Sequence, residues 1–441
     1  MNCCGEITRF VRPCRTDFAA TPRRTARGGD TSSTTRFLAG VETLTRFFAL
    51  RWPKVTFRVG RGVTGRTAHV PLCQLTQKCH PFAAACNHTP RVAWTTGISG
   101  ETMATHLTTT KLGFALCLAL GSHQAWAWGA TGHRLVTTVG MQSLPESLPA
   151  FLRTPEAVTW AAELGREPDR SKGSGPSHDR DLDPGHFINL GDSGLVADVI
   201  PFNPLAPSRE KYDSALREHG FDEYQVGFLP YSIVDGWQQI RKDLAYWRAD
   251  VAGGQLAKKE EERAWYEQDR KIREMLTLRD IGYWSHFVGD ASQPLHVSVH
   301  YNGWGNYPNP EAFTNNKGLH ANFEGKYVAS EIHLEDVVAA LPSPRSLGCG
   351  IEEQTVSYLI ETNRQVAPLY RLEKQGAFAV GQALGKPFVT TRLTAAAAEL
   401  RDLVVAAWTC SEAVAVGYPP VPVKNIESGI TDPYFALVGG D

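Results

Sequence analysis

The sequence predicts an all-α fold, and three observations carry that prediction. Long stretches repeat apolar residues every three or four positions with charges between them, the period of a helix with one buried face. Strand-like alternation is scarce. Gly, Pro, Asn and Asp gather instead in long connections at 165–185, 191–210 and 301–318, where structureless length usually serves function. There is no internal repeat and no low-complexity tract.

The chain opens with a segment unlike the rest. Residues 1–102 carry 13 Arg and 2 Lys against 5 acidic residues, hold six of the nine cysteines, and show no sustained period of 3.6 or 2. They read as unstructured. From Met103 the sequence runs "MATHLTTTKLGFALCLALGSHQAWA": a polar start with Lys111, an apolar run from Leu112 to Leu120, then the small-residue triplet Ala125, Trp126, Ala127. That is the layout of a cleavable secretory signal, with an apolar run too short to span a bilayer. Because such a signal works at an N-terminus, translation is expected to start at Met103 and residues 1–102 to be a mis-assigned gene start. Cleavage would leave Trp128 as the first residue of a periplasmic or secreted domain, 128–441.

Within that domain four segments carry the helical period. They are "YSIVDGWQQIRKDLAYWRADVA" (231–252), "KKEEERAWYEQDRKIREMLTLRDIGYWSHFVGDA" (258–291), "GIEEQTVSYLIETNRQVAPLYRLEKQ" (350–375) and "TTRLTAAAAELRDLVVAAWTCSEAV" (390–414). Residues 128–441 hold 29 basic and 41 acidic residues, a net charge of −12. An acidic body argues against a long polyanion groove, since phosphate affinity ordinarily comes from Lys and Arg. Any phosphate chemistry here needs another source of positive charge. Only Cys349 and Cys410 remain after cleavage, a plausible disulfide in an exported protein. No second hydrophobic span follows, so no stable membrane insertion is expected, and a monomer is.

The chemistry concentrates in "HFVGDASQPLH". His286 and Asp290 stand one helical turn apart on one face, and Pro294 should stop the helix so that His296 projects from the turn beyond it. "LHANFEGKY" repeats the spacing with His320 and Glu324. Imidazoles mixed with carboxylates are the ligand set of hydrolytic zinc. One such pair is more often a plain hydrogen bond, but two pairs joined by a histidine point to metal. Upstream, "REPDRSKGSGPSHDRDLDPGHFINL" adds Asp169 and His186, a turn residue and a core histidine if taken alone. At the cleaved N-terminus a free amino group and the first carbonyl of Trp128 can chelate a metal, with His133 five residues on.

Trp128 followed by Gly and His133, then Asp, His, H-x3-D, "QPLH" and H-x3-E, resembles the trinuclear-zinc phosphodiesterases. These are the fungal single-strand-specific nucleases, the plant bifunctional nucleases, related bacterial nucleases and the zinc-dependent bacterial phospholipases C. The resemblance covers 128–441 and implies a single mainly helical domain with three zinc ions. Asp169, His186 and His286 would hold one zinc, and Asp290 would bridge from it to a second, chelated by Trp128 and His133. His296, His320 and Glu324 would hold the third. The implied nucleophile is a water between the first two metals, with the third stabilising the leaving oxygen.

Some positions depart from the family. Nucleases commonly carry a Trp-Ala-Asp motif whose Asp is a ligand; "TWAAELGREPDRSKG" has Ala162 there, and the role passes to Asp169. A basic residue three past that Asp helps bind phosphate in the nucleases, which points to Lys172, with Arg170 as second candidate and a solvated loop charge as the plain reading of both. Phe187 matches an aromatic that stacks on a base, or else is a core aromatic. His300 and Asn302, beside the cluster, are candidates to line the cleft. Glu324 in place of Asp resembles the phospholipase branch, while the five-residue step from Trp128 to His133 resembles the nucleases.

The expected function is a secreted hydrolase acting on the phosphodiester bonds of single-stranded DNA and RNA, with possible 3′-nucleotidase activity. Asp169, Asp290 and Lys172 would serve the chemistry, and Phe187, Arg170 and Asn302 the substrate. A zinc-dependent phospholipase C is the alternative, disfavoured by the lack of a basic amphipathic helix. A noncatalytic zinc-binding protein is more distant. A serine hydrolase is excluded, since no G-x-S-x-G occurs.

Overall fold

The computed structural model describes residues 128–439, and the chain is mainly helical over them. The expectations for 1–102 and for the signal segment 103–127 concern residues outside those described. The helices that build the site are α1 (Ala130–Gln142), α2 (Pro155–Leu164), α3 (Glu167–Arg170), α4 (Leu229–Leu256), α5 (Glu260–Asp290), α6 (Ile351–Asn363), α7 (Val366–Lys374) and α8 (Lys386–Ser411). The described residues hold one sheet, pairing Ala415–Val416 antiparallel with Val421–Pro422.

Local chemistry explains several boundaries. Thr154 caps α2 by accepting from the Ala157 N–H at 3.1 Å, and Pro155 follows at the first helical position, where a missing N–H costs nothing. Three glutamates, Glu260, Glu261 and Glu262, fill the first turn of α5 and complement its positive end. The segment expected as one helix over 350–375 is two, broken at Arg364 and Gln365. Pro368 is the reason: inside a continuous helix it would remove a backbone bond and clash with the preceding turn, whereas it is tolerated in the first turn of α7.

The connection at 165–185 is more ordered than expected. It contains α3, a helix over Pro176–Leu182 and a 3-10 turn over Asp183–His186, each with proline in its first turn. Short proline-started turns of this kind carry no amphipathic period, so the sequence pattern does not reveal them.

α4 and α5 form a hairpin across the short link 257–259, and α8 packs against both. Buried indoles fasten the layers: Trp284 of α5 donates to the Ile233 carbonyl of α4 at 2.9 Å, and Trp237 of α4 to the Leu403 carbonyl of α8 at 2.9 Å. Three apolar cores result, a small one around Ala249, Val416 and Ile426, and two large ones. One gathers Leu152, Ile188, Trp237, Ile281 and Val288; the other gathers Trp128, Phe323, Tyr327, Tyr370 and Leu393. The candidate site lies where they meet. Cys349 and Cys410 form a disulfide, closing a 61-residue separation that on chain entropy contributes about 4 kcal/mol. No helix of the described residues is long and apolar enough to cross a membrane.

Candidate metal centre

α5 supplies the spine of the site. His286 and Asp290 stand one turn apart on its buried face, and the helix ends at Asp290, so that a 3-10 turn over Pro294–His296 carries His296 into the same space. α1 brings His133 against this spine, its ring stacked on that of His286 with centroids 3.8 Å apart. Gly289 permits the approach, since a Cβ there would lie 3.1 Å from His133 Nδ1. Asp169 comes from α3, and His186 from the 3-10 turn after it. His320 and Glu324 come from a short helix that widens into a π-turn over Asn322–Tyr327, a distortion frequent at functional sites.

Three buried triads result, each with candidate ligand atoms within 4.8 Å of one another: His133, Asp169 and His286; His186, His286 and Asp290; His296, His320 and Glu324. The first places Asp169 with His133, a different grouping from the one the resemblance implies, while His286 belongs to two triads. Asp290 lies between all of them. Its Oδ2 is 3.2 Å from His186 Nδ1, 3.3 Å from His286 Nε2 and 4.0 Å from His296 Nδ1, and its Oδ1 is 3.5 Å from His133 Nε2.

Trp128 is wholly buried, its indole donating to Ser292 Oγ at 3.0 Å and its ring 5.5 Å from that of Phe323. The next residue ties this end of the chain to the third triad, for the Gly129 N–H donates to the Glu324 carbonyl at 3.2 Å. The start of the described chain is therefore held beside both His133 and Glu324.

Hydrogen bonds behind the site aim the rings. His286 Nδ1 donates to the Gly165 carbonyl at 2.8 Å, and His296 Nδ1 to the His186 carbonyl at 2.7 Å. Each bond leaves Nε2 as the lone-pair atom facing inward, the outer-shell arrangement usual for metal-binding histidines. Gln293 Nε2 donates to Glu324 Oε2 at 3.0 Å while its Oε1 accepts from the Leu295 N–H at 2.6 Å, so Gln293 orients the carboxylate.

His286 Nε2 meets His186 Nδ1 at 2.9 Å, but other atoms of the cluster are short of partners. Both ring nitrogens of His133 and of His320, with His296 Nε2, Asp290 Oδ1 and Glu324 Oε1, are buried without a hydrogen bond among the described residues. His320 Nε2 lies 2.8 Å from Glu324 Oε2, yet the geometry is not that of a hydrogen bond. Each orphaned group costs about 1–3 kcal/mol, so seven in one place call for a cation.

Charge states agree with that reading. Burial, aided by the neighbouring His286 charge, pushes the His133 imidazole down to about 3. Burial and the Lys172 ammonium push His186 down to about 4. Both are neutral at pH 7, as ligands must be. Burial would raise the Asp290 carboxyl, but the charges of His286 and His296 outweigh it and hold Asp290 well below the usual range. His296 moves the other way: burial lowers it, while Asp290 and Glu324 lift it to about 9. A metal there must displace a proton.

The cluster opens onto a cleft of ≈ 540 Å³. His186, His296 and His320 form its floor, and Lys172, Phe187 and Asn302 its walls. Lys172 Nζ pairs with Asp169 Oδ1 at 2.8 Å. Gly227 shapes the Phe187 wall: its φ of +85° and a Cβ position 2.0 Å from the Phe187 carbonyl oxygen leave room for glycine alone.

Arg170 is not part of this wall. Its exposed side chain turns to Glu167 at 2.6 Å, so of the two basic candidates only Lys172 faces the cleft. His300 is also elsewhere, stacked on Trp304 and bonded to its carbonyl at 2.8 Å. Sequence reasoning missed Asn189, Tyr224 and Tyr301, which line the cleft too. The carboxamide oxygens of Asn189 and Asn302 are buried without a partner. A polar Asn189 inside the apolar run "HFINL" is the one signal that could have revealed the first.

No protein-family model matches the chain, and a search of curated proteins finds no match.

Proposed function

We propose that this chain is a zinc-dependent phosphodiesterase of the nuclease type, hydrolysing single-stranded DNA and RNA, with three zinc ions held by Trp128, His133, Asp169, His186, His286, Asp290, His296, His320 and Glu324. The observation that carries the reading is Asp290, one buried carboxylate whose two oxygens face different imidazoles. A structural acid needs one partner; an acid facing two ways suits adjacent cations. Zinc at these residues would supply Lewis acidity and bring the pKa of an attacking water down to about 7.

The chain's own residues then divide the remaining work. Asp169 keeps the Lys172 ammonium charged and fixed in the wall, where it can meet a phosphate oxygen. Phe187, Tyr224 and Tyr301 offer π-faces for unstacked bases, worth about 1–3 kcal/mol each, which favours single strands. The unpartnered carboxamide oxygens of Asn189 and Asn302 suit the exocyclic amines of bases and have no counterpart in an acyl chain. The net charge of −12 over 128–441 makes the metals the main source of attraction for phosphate.

The test is parallel hydrolysis of single-stranded DNA, RNA and phosphatidylcholine by the zinc-loaded protein, with Phe187→Ala alongside. Cleavage of nucleic acid, with KM raised about tenfold in the variant, supports the proposal. Cleavage of lipid alone moves the chain to the phospholipase C reading that Glu324 favours. Bound zinc with no hydrolysis of any of the three would mean a noncatalytic site.

A further inference from the structure

A second cavity, of ≈ 340 Å³, opens between α6, α8 and the segment before α6, and none of the candidate ligands lines it. Arg392 of α8 stands in its wall and is only 8 % exposed. Among the described residues the Arg392 guanidinium has neither a hydrogen-bond partner nor a carboxylate within salt-bridge distance. The buried acids further along α8 are already taken: Arg345 pairs with Glu399 and, at 3.0 Å, with Asp402, and Arg401 donates to Asp402 at 2.7 Å. Glu361, on the cavity rim, is exposed and turned towards Arg364 at 3.4 Å.

Arg345 and Arg401 thus occupy both buried carboxylates, leaving Arg392 only the distant pull of the exposed Glu361, which is turned to Arg364. Burial pulls Arg392 below its ordinary value and outweighs the opposing influence of Tyr358 and Glu361. Thr362 lines the same cavity, and its buried hydroxyl has no partner. Water could satisfy the hydrogen bonds but not the charge.

We infer that this cavity is a binding site for a small oxyanion of the phosphate or sulfate kind, held by Arg392 and Thr362. An arginine fork is suited to two oxygens of such a group, and one charge neutralises the surplus. The site is also wired to the metal helix. Tyr358, in the same wall, donates its hydroxyl to the Val288 carbonyl of α5 at 3.0 Å, two residues before Asp290. An anion that locks α6 against α8 braces the helix that carries Asp290.

Selenate, a heavy isostere that scatters anomalously, is the probe. Crystals of the metal-loaded protein soaked in selenate are expected to show an anomalous peak within hydrogen-bond reach of the Arg392 guanidinium, lost in Arg392→Gln. In solution, phosphate is expected to raise the melting midpoint of the wild type more than that of Arg392→Gln, phosphate at the metal centre being common to both. Thr362→Val, which keeps the shape and removes the hydroxyl, should weaken the phosphate response about tenfold, the loss of one hydrogen bond to a charged group, and guards against misfolding of the arginine variant. Selenate found at the metal cluster alone, or equal midpoint shifts in the three proteins, would overturn the inference.

Discussion

The α4–α5 hairpin buries aspartates in two places, and they are in opposite states. At the end of α5, Asp290 lies among four imidazoles and stays ionised despite complete burial. Along the middle of the hairpin the buried acids face other acids. Burial and the Asp280 carboxyl push Asp243 up to about 6, against the weaker pull of Gln239 and Lys242. Burial and the charge of Asp269 push Asp250 up to about 8, despite Arg270 and Arg273 opposite. All three side chains are closed to solvent, Asp290 the most deeply, and the company they keep differs. A carboxylate kept charged among imidazoles that lack partners is arranged for a cation; one that can take up a proton beside a second acid is arranged for packing.

The largest expected effect comes from making the first place resemble the second. Asp290→Asn keeps the shape and removes the charge between the triads, and is expected to lower hydrolysis at least ~10³-fold, about 4 kcal/mol of transition-state stabilisation. Steady-state assays of wild type and variant at equal zinc check it.

Chelation tests the same place from the ligand side. Stripping metal with a chelator should leave the orphaned imidazoles and carboxylates to repel or go unpaired, costing several kcal/mol and lowering the melting midpoint by about 10 °C or more. Calorimetry before and after zinc is restored reads this directly. An unchanged midpoint would mean that nothing cationic belongs there.

Lys172 and Arg170 give an internal contrast two residues apart. Lys172→Gln should cost about 10²-fold in kcat/KM, the loss of one charge-assisted contact with phosphate, while Arg170→Gln should cost less than about twofold. Equal losses would break the distinction drawn from the cleft wall.

The smallest effect falls in the middle of the hairpin. Asp250 has a folded value of about 8, above its ordinary 3.8, so the folded state holds the proton more tightly than the unfolded one. Its stabilising contribution is complete below about pH 4 and is lost as pH rises through 8. Asp250→Asn is therefore expected to raise stability at pH 8.5 by about 1 kcal/mol or more and to flatten the pH dependence, measured by denaturant unfolding at pH 5 and 8.5.

What the sequence disclosed follows the range of the interactions. His286 with Asp290, and His320 with Glu324, are legible because a four-residue step on a helix is a local fact. So is the halt at Pro294 that turns His296 inward. The long helices are legible from their apolar faces, though the break at Arg364 needed the weight of Pro368 to be recognised. Asn189 and Gln293 were not legible as site residues, because their roles depend on distant partners: Asn189 is anchored by the Gln225 carbonyl at 2.9 Å, and Gln293 by Glu324 across 31 residues. The separation of Lys172 from Arg170 was equally hidden, since it rests on which way a short proline-started turn faces.

The central claim is that the three triads around Asp290 hold three divalent ions. Metal content per chain, measured by mass spectrometry on protein purified from an exporting host and dialysed against zinc-free buffer, tests it most directly. About three zinc ions in the wild type and about one in Asp290→Asn, retained by His296, His320 and Glu324, is the expected result. Less than one ion in the wild type, or equal content in the two proteins, would contradict it.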